Sequence, residues 1–186
     1  MKYIILIASS FFLILQEACN NGAATDKSTL KTRSAADKTE SKTERNKKTV
    51  MACMDAVNAH DPEKIMKDEA PNFVEYGDGT EANSDKDRLK QGLTGIFNTY
   101  PDFRFENATY FAEGDEVVVI SDFTMTFKND MGKTKATGKT AKFKDVDIFI
   151  LDENGKIVSH RDIYPADAID AQLGVKSEKG QCAEKQ

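Results

Sequence analysis

The sequence predicts an α+β domain: a cone-shaped, strongly curved antiparallel sheet with about three N-terminal helices packed on one face and a short C-terminal helix. Two observations carry this expectation. Apolar residues recur at helical spacing between residues 50 and 97, and from residue 103 the period switches to two. Three helices, with one short strand among them, precede the run of long strands instead of alternating with it, which separates helices from sheet.

Taken in order, Val50, Met51, Met54 and Val57 form the stripe of a first helix, starting near Asn46 and ending near His60. Asp61, Pro62 and Glu63 read as an N-cap, a proline at the first helical position and an early acid, opening a short second helix to about Glu69, stopped by Pro71. A short strand spans residues 73–76, and Gly77, Asp78 and Gly79 make a turn. Ser84 is expected to cap a third helix through about Thr99, with Leu89, Leu93, Ile96 and Phe97 inside and Pro101 beyond its end. Strands follow at 103–111, 116–127, roughly 134–151 and 156–164, with turns at Gly114-Asp115 and Asn129-Asp130. The second of these turns polar on one face at Asp122, Thr124 and Thr126, so one buried side is expected. Pro165 opens the last helix, Ile169 and Leu173 face inward, and Gly174 stops it.

At 186 residues, with 39% hydrophobic and 31% charged side chains, the chain suits one domain with appendages. Residues 20–48 hold eight Lys/Arg against four Asp/Glu, whereas residues 49–186 hold 17 against 26. The folded part is acidic, which argues against nucleic acid as a partner. Residues 3–15 are an apolar run after Lys2, too short to span a bilayer and fitting a signal peptide over 1–18. The run ends in Ala18-Cys19, which resembles a bacterial lipoprotein lipobox, although the family's leucine at the third position before the cysteine is displaced by one to Leu15. That resemblance implies lipidation at Cys19, a bacterial envelope location and a membrane contact through the anchor; the alternative is a secreted or periplasmic soluble protein. Residues 19–47 read as a disordered tether, 48–174 as the domain and 175–186 as a loose tail. Cys53 and Cys182 are expected as two separate thiols.

The strongest functional signal lies in residues 143–164. Side-chain alternation puts Phe143, Asp145, Asp147 and Phe149 on one face, and an even hairpin connection brings His160, Asp162 and Tyr164 to the same face. Two registers stay open. If Leu151 opposes Lys156, Asp147 faces His160; if the loop is Asn154-Gly155 alone, Asp147 faces Asp162. Either arrangement shifts a pKa and suits proton transfer or ligand anchoring. The same face would also serve as solvent-exposed polar surface or as a dimer contact. Tyr76 and Tyr164 could wall a flat apolar ligand, and Asp78 could reach the pocket mouth or simply form its turn.

Val57-Asn58-Ala59-His60-Asp61, Ile65, Ala70 and the strand before Gly77 resemble the opening of nuclear transport factor 2-like domains, a superfamily that includes ketosteroid isomerases and SnoaL-like polyketide cyclases. Val146-Asp147-Ile148-Phe149, Gly155-Lys156-Ile157-Val158 and His160-Arg161 resemble their last hairpin, and Gln172-Leu173-Gly174 the end of the cyclase-like members. The resemblance implies the cone fold and a pocket. It aligns Asp147 with the oxyanion-hole aspartic acid of the isomerases and Cys53 with the tyrosine that shares that hole. The isomerase base falls on Gly77 and the cyclase base on Pro165, so neither family base is at its place. The resulting expectation is an envelope-tethered domain binding a small, largely apolar ligand, as a binding module or degenerate enzyme, with a site of Asp147, His160, Tyr76, Asp145, Phe149, Asp162 and Tyr164. The alternative is an active isomerase, cyclase or hydrolase with Asp147 and His160 as acid–base pair. No cofactor and no metal are expected, and a homodimer through the sheet is a further expectation.

Overall fold

The computed structural model describes residues 40–77 and 82–175. The signal segment with Cys19, the turn residue Asp78 and the tail with Cys182 lie outside the described residues. Among the described residues no helix is long and apolar enough to cross a membrane.

Helix α1 spans Lys42–Asn58, α2 Pro62–Met66, α3 Lys86–Thr99 and α4 Ala166–Leu173; the strands are β1 Glu69–Glu75, β2 Arg104–Glu113, β3 Glu116–Thr126, β4 Thr140–Leu151 and β5 Ile157–Ile163. Helix α1 begins earlier than the sequence suggests. Ser41 accepts a hydrogen bond from the Glu44 amide, Asn46 is buried and donates to the Gly114 carbonyl, and Arg45 Nη2 donates to the Glu153 carbonyl. Polar side chains anchor this first turn, so apolar periodicity could not find it. Helix α2 is capped by Asp61, whose carboxylate accepts from the Lys64 amide, and it ends at Met66 well before Pro71. Pro71 instead lies inside β1, where an edge strand tolerates a residue that cannot donate. The cap of α3 is Asp85, not Ser84: its carboxylate accepts from the amides of Asp87 and Arg88 at 3.1 Å.

The strands form one sheet in the order β1-β5-β4-β3-β2. Strands β2 to β5 are an antiparallel meander, as alternation predicts. Strand β1 adds to the edge of β5 in parallel, a long-range pairing that makes the sheet mixed and that local pattern does not encode. The β2 register slips between Glu106 and Thr109, with Asn107 at φ +54, a bulge that bends the edge. On β3 the expected polar face is partly wrong: Thr124 and Thr126 are buried, and Thr126 donates from its amide and hydroxyl to Asp102.

Two apolar clusters fill the concave side. One joins α1, α2, α3 and the inner faces of the sheet through Val50, Met54, Phe73, Val117, Val119 and Phe149. The other, Phe127, Ala141, Ile169 and Leu173, closes the far end where α4 rests on β4.

Candidate functional site

The site is built by the β4–β5 hairpin and completed by β1. Asp152 makes the turn: its amide donates to the Lys156 carbonyl and its own carbonyl accepts from Gly155, which sits at φ +77. Leu151 then pairs with Ile157, but Ile150 pairs with Ser159, leaving Val158 as one extra residue. The turn is odd, and this bulge restores even register. Asp147 therefore pairs with Asp162 and Phe149 with His160, and all four line one cavity.

The parallel strand β1 brings Glu75 into register with His160. His160 Nδ1 lies 2.9 Å from Glu75 Oε2, while Nε2 lies 3.2 Å from Asp147 Oδ1 and 3.1 Å from Asp162 Oδ1. Three carboxyl groups thus surround one imidazole, whose ring stacks on Phe149 at 4.4 Å and 26°. Of the two registers open from sequence, the one that sets Asp147 opposite Asp162 is realised, through a five-residue turn and a bulge instead of a two-residue loop; His160, diagonal to Asp147, still reaches it with its side chain.

Burial opposes the charged forms here, and neighbours decide the outcome. For His160, burial works against protonation, but the charge of Asp162 and the bonds from Asp147 and Glu75 raise its pKa well above the ordinary value. Asp147 is driven upward, first by burial, although His160 pulls the other way; Asp162 is held low, because the imidazolium overcomes burial. Asp162 therefore carries the charge opposite His160, and Asp147 is the partner that takes a proton first. Behind them Asp145 is pushed up to about 8 by burial and by the charges of Asp147 and Asp162. Glu69, from the start of β1, rises to about 6 through burial.

The cavity measures about 630 Å³. Its walls are apolar, with Met54 and Val57 from α1, Leu89 and Leu93 from α3, and Phe103 and Phe105 from the approach to and start of β2. Glu69, Glu75, Asp147, His160 and Asp162 supply polar side chains from the sheet. Of the residues singled out from sequence, Asp147, Phe149, His160 and Asp162 come together in this lining. Asp145 is buried beside them on β4 without lining the cavity, its carboxylate accepting from the Val146 amide. Tyr76 stands outside the lining with Arg161 over its ring at 5.0 Å, and Tyr164 is outside it and exposed. Glu75 and Glu69 were missed. The available signal was the alternation Phe73, Glu75 on β1, which places a carboxylate on the same face as a core phenylalanine.

Cys53 lines the cavity as a free thiol, donates weakly to the Ile65 carbonyl at 3.8 Å and is pushed up to about 12 by burial, so it is not a nucleophile. Gly77 also lines the cavity, and Pro165 caps α4, so the described positions matched to the family bases hold no titratable side chain.

A cone of bent sheet closed by helices over an apolar cavity defines the nuclear transport factor 2-like class. Within it, residues 48–173 match the SnoaL-like polyketide cyclase family, and the chain belongs to that family. A candidate polyketide cyclase from Xanthomonas campestris superposes with a TM-score of 0.66 at 18% identity, covering 72% of this chain and 99% of that one. AclR, a candidate hydroxylase from Streptomyces galilaeus, gives 0.62 at 24% identity over 71% and 97%. A candidate SnoaL-like polyketide cyclase from Jannaschia sp. CCS1 gives 0.64 at 19% over 74% and 98%. At these identities the likeness establishes the fold. No curated protein matches the chain.

Proposed function

We propose that this domain takes up a small, largely apolar ligand in the cone and meets its polar end with Asp147 and His160. The observation that carries this reading is the cavity of about 630 Å³, apolar on the helix side and polar where β1, β4 and β5 meet. That volume and that division of surface suit a ligand with a hydrocarbon body and a single polar head. Calorimetric titration of the full chain with a library of such compounds tests it; saturable binding that is weakened by Leu93→Glu, in the cavity wall, is expected. A library with no binder, or binding untouched by Leu93→Glu, overturns the reading.

Acid–base turnover of the ligand is the second reading, favoured by one arrangement. Asp147 holds a proton more readily than an ordinary carboxyl and bonds His160 Nε2, while Glu75 fixes Nδ1. An oriented imidazole next to a poised carboxyl is equipment for moving a proton. Turnover of a bound ligand that is abolished in Asp147→Asn supports it; binding without turnover favours the binding module.

The polar tract before α1 and the Ala18-Cys19 step support anchoring of the chain to a bacterial envelope through lipid at Cys19. Cys19→Ala should lose lipid labelling and leave the membrane fraction; retention there rejects the anchor. The outer face of the sheet exposes Phe111, Ile120 and Ile163, which supports a homodimer through that face. Sedimentation of wild type against Ile120→Glu decides between dimer and monomer.

A further inference from the structure

We propose that the polar end of the cavity is a subsite for an organic cation, so that the ligand is a protonated amine whose apolar body fills the rest of the cone. This names the head group of the ligand proposed above and rests on that reading.

Unbalanced charge and unspent hydrogen-bond acceptors at this end of the cavity select the head group. Glu69, Glu75, Asp147 and Asp162 line the cavity from the sheet, and His160 is the basic side chain among them. Its two nitrogens are fully used: Nδ1 by Glu75, Nε2 by Asp147 and Asp162. Arg88 lines the cavity from α3 but is exposed. Two acceptors are left over. Among the described residues Asp147 Oδ2 has no hydrogen-bond partner, although the side chain is only 3% exposed. Glu69 Oε2, at 7% exposure, has no hydrogen-bond partner among the described residues either, and its carboxylate has only the longer ion pair to Lys86 Nζ at 3.7 Å.

A buried carboxylate oxygen without a donor costs free energy, and one without a counter-charge costs more. A hydroxyl head group would supply a donor and no charge. A carboxylate head group would add a further negative charge to a cluster that already has too many. An ammonium supplies both the missing donor and the missing charge, and its desolvation is offset by more than one anion. Phe73, also in the lining, adds an aromatic ring to the cavity, and the ring of Phe149 already stacks on the His160 imidazole.

The test uses three apolar bodies, benzyl, cyclohexylmethyl and 1-adamantyl, each carrying a primary amine, a hydroxyl or a carboxylate, titrated calorimetrically into the full chain. On each body that binds, the amine should bind tightest, by about tenfold over the hydroxyl, with the carboxylate weakest. Glu69→Gln and Asp147→Asn should each reduce amine affinity by a larger factor than hydroxyl affinity, because they remove charge and keep shape. Thermal melts confirm that each variant is folded, and the wild-type ranking stands even if one is not. If the hydroxyl or carboxylate series binds as tightly as the amines, the cation subsite is wrong while the apolar pocket survives. If no head group on any body binds, the pocket reading and the cation subsite fall together.

Discussion

The two histidines of this chain occupy opposite chemical situations in similar packing. His60 stacks on Phe97 at 4.5 Å and 9°, His160 on Phe149 at 4.4 Å and 26°. Around His60 the neighbours are neutral: Phe103 packs edge-on and its carbonyl accepts from Nε2 at 2.7 Å. Around His160 there are three carboxyl groups. The first ring behaves as a polar-tipped aromatic that closes the corner between α1 and β2. The second is held as a cation. Stacking on phenylalanine says nothing about the role of a histidine; the atoms at its two nitrogens decide it.

The sharpest way to break this contrast is to delete each ring. His160→Ala should cost about 3 kcal/mol, because it strands buried carboxylates. His60→Ala should cost about 1–2 kcal/mol, the loss of a stack and one hydrogen bond. Urea unfolding of both variants measures the difference, and equal losses would mean that the charge cluster is not special.

Next in size is the pH response. Asp145, Glu69 and Asp147 all have raised folded pKa values, so each adds stability that is fully present below its unfolded value and is lost as pH rises through the folded one. His160 has the same sign: its contribution is present below 6.5 and fades as pH climbs through its raised value. Asp162, held low, works the other way and matters only in acid. Stability should therefore fall from about pH 5 to pH 8, and Asp145→Asn should flatten the upper part, where Asp145 titrates near 8. A stability that climbs across this window would refute the ionisation scheme.

A third measurement is NMR titration of His160, expected well above 6.5 in wild type. Asp162→Asn should lower it more than Asp147→Asn, since the charge of Asp162 is the leading favourable influence. The reverse order would exchange the roles of the two aspartates. The smallest effect belongs to His60→Phe, which keeps the stack and loses the bond to the Phe103 carbonyl, at about 1 kcal/mol. No measurable change in urea unfolding would show that this bond contributes nothing.

Much of this was legible in the sequence, and the parts that were not have two causes. Helices and meander strands announce themselves through local period, so α3 and β3 were readable to within a few residues. The face shared by Asp147, Phe149, His160 and Asp162 was readable because strand alternation is strict. The parallel docking of β1 was not, since it joins residues more than 80 positions apart in sequence and leaves no local period. With β1 unplaced, Glu75 and Glu69 could not enter the site, and the balance of charge in the cavity could not be drawn up. The start of α1 was hidden for a different reason: Asn46 is buried by a hydrogen bond, and a polar residue in a core position reads as surface.

Val158, the single unpaired residue of the hairpin, couples chain length to chemistry. Deleted alone, with the five-residue turn kept, it would turn the whole of β5 over, sending His160 and Asp162 to the outer face and Arg161 and Ile163 into the cavity. An odd turn keeps the site face only together with its bulge, and an even turn only without one. Length variation among viable descendants of this chain should therefore couple a one-residue change in the turn to loss of the bulge, so that the two compensate as a linked pair.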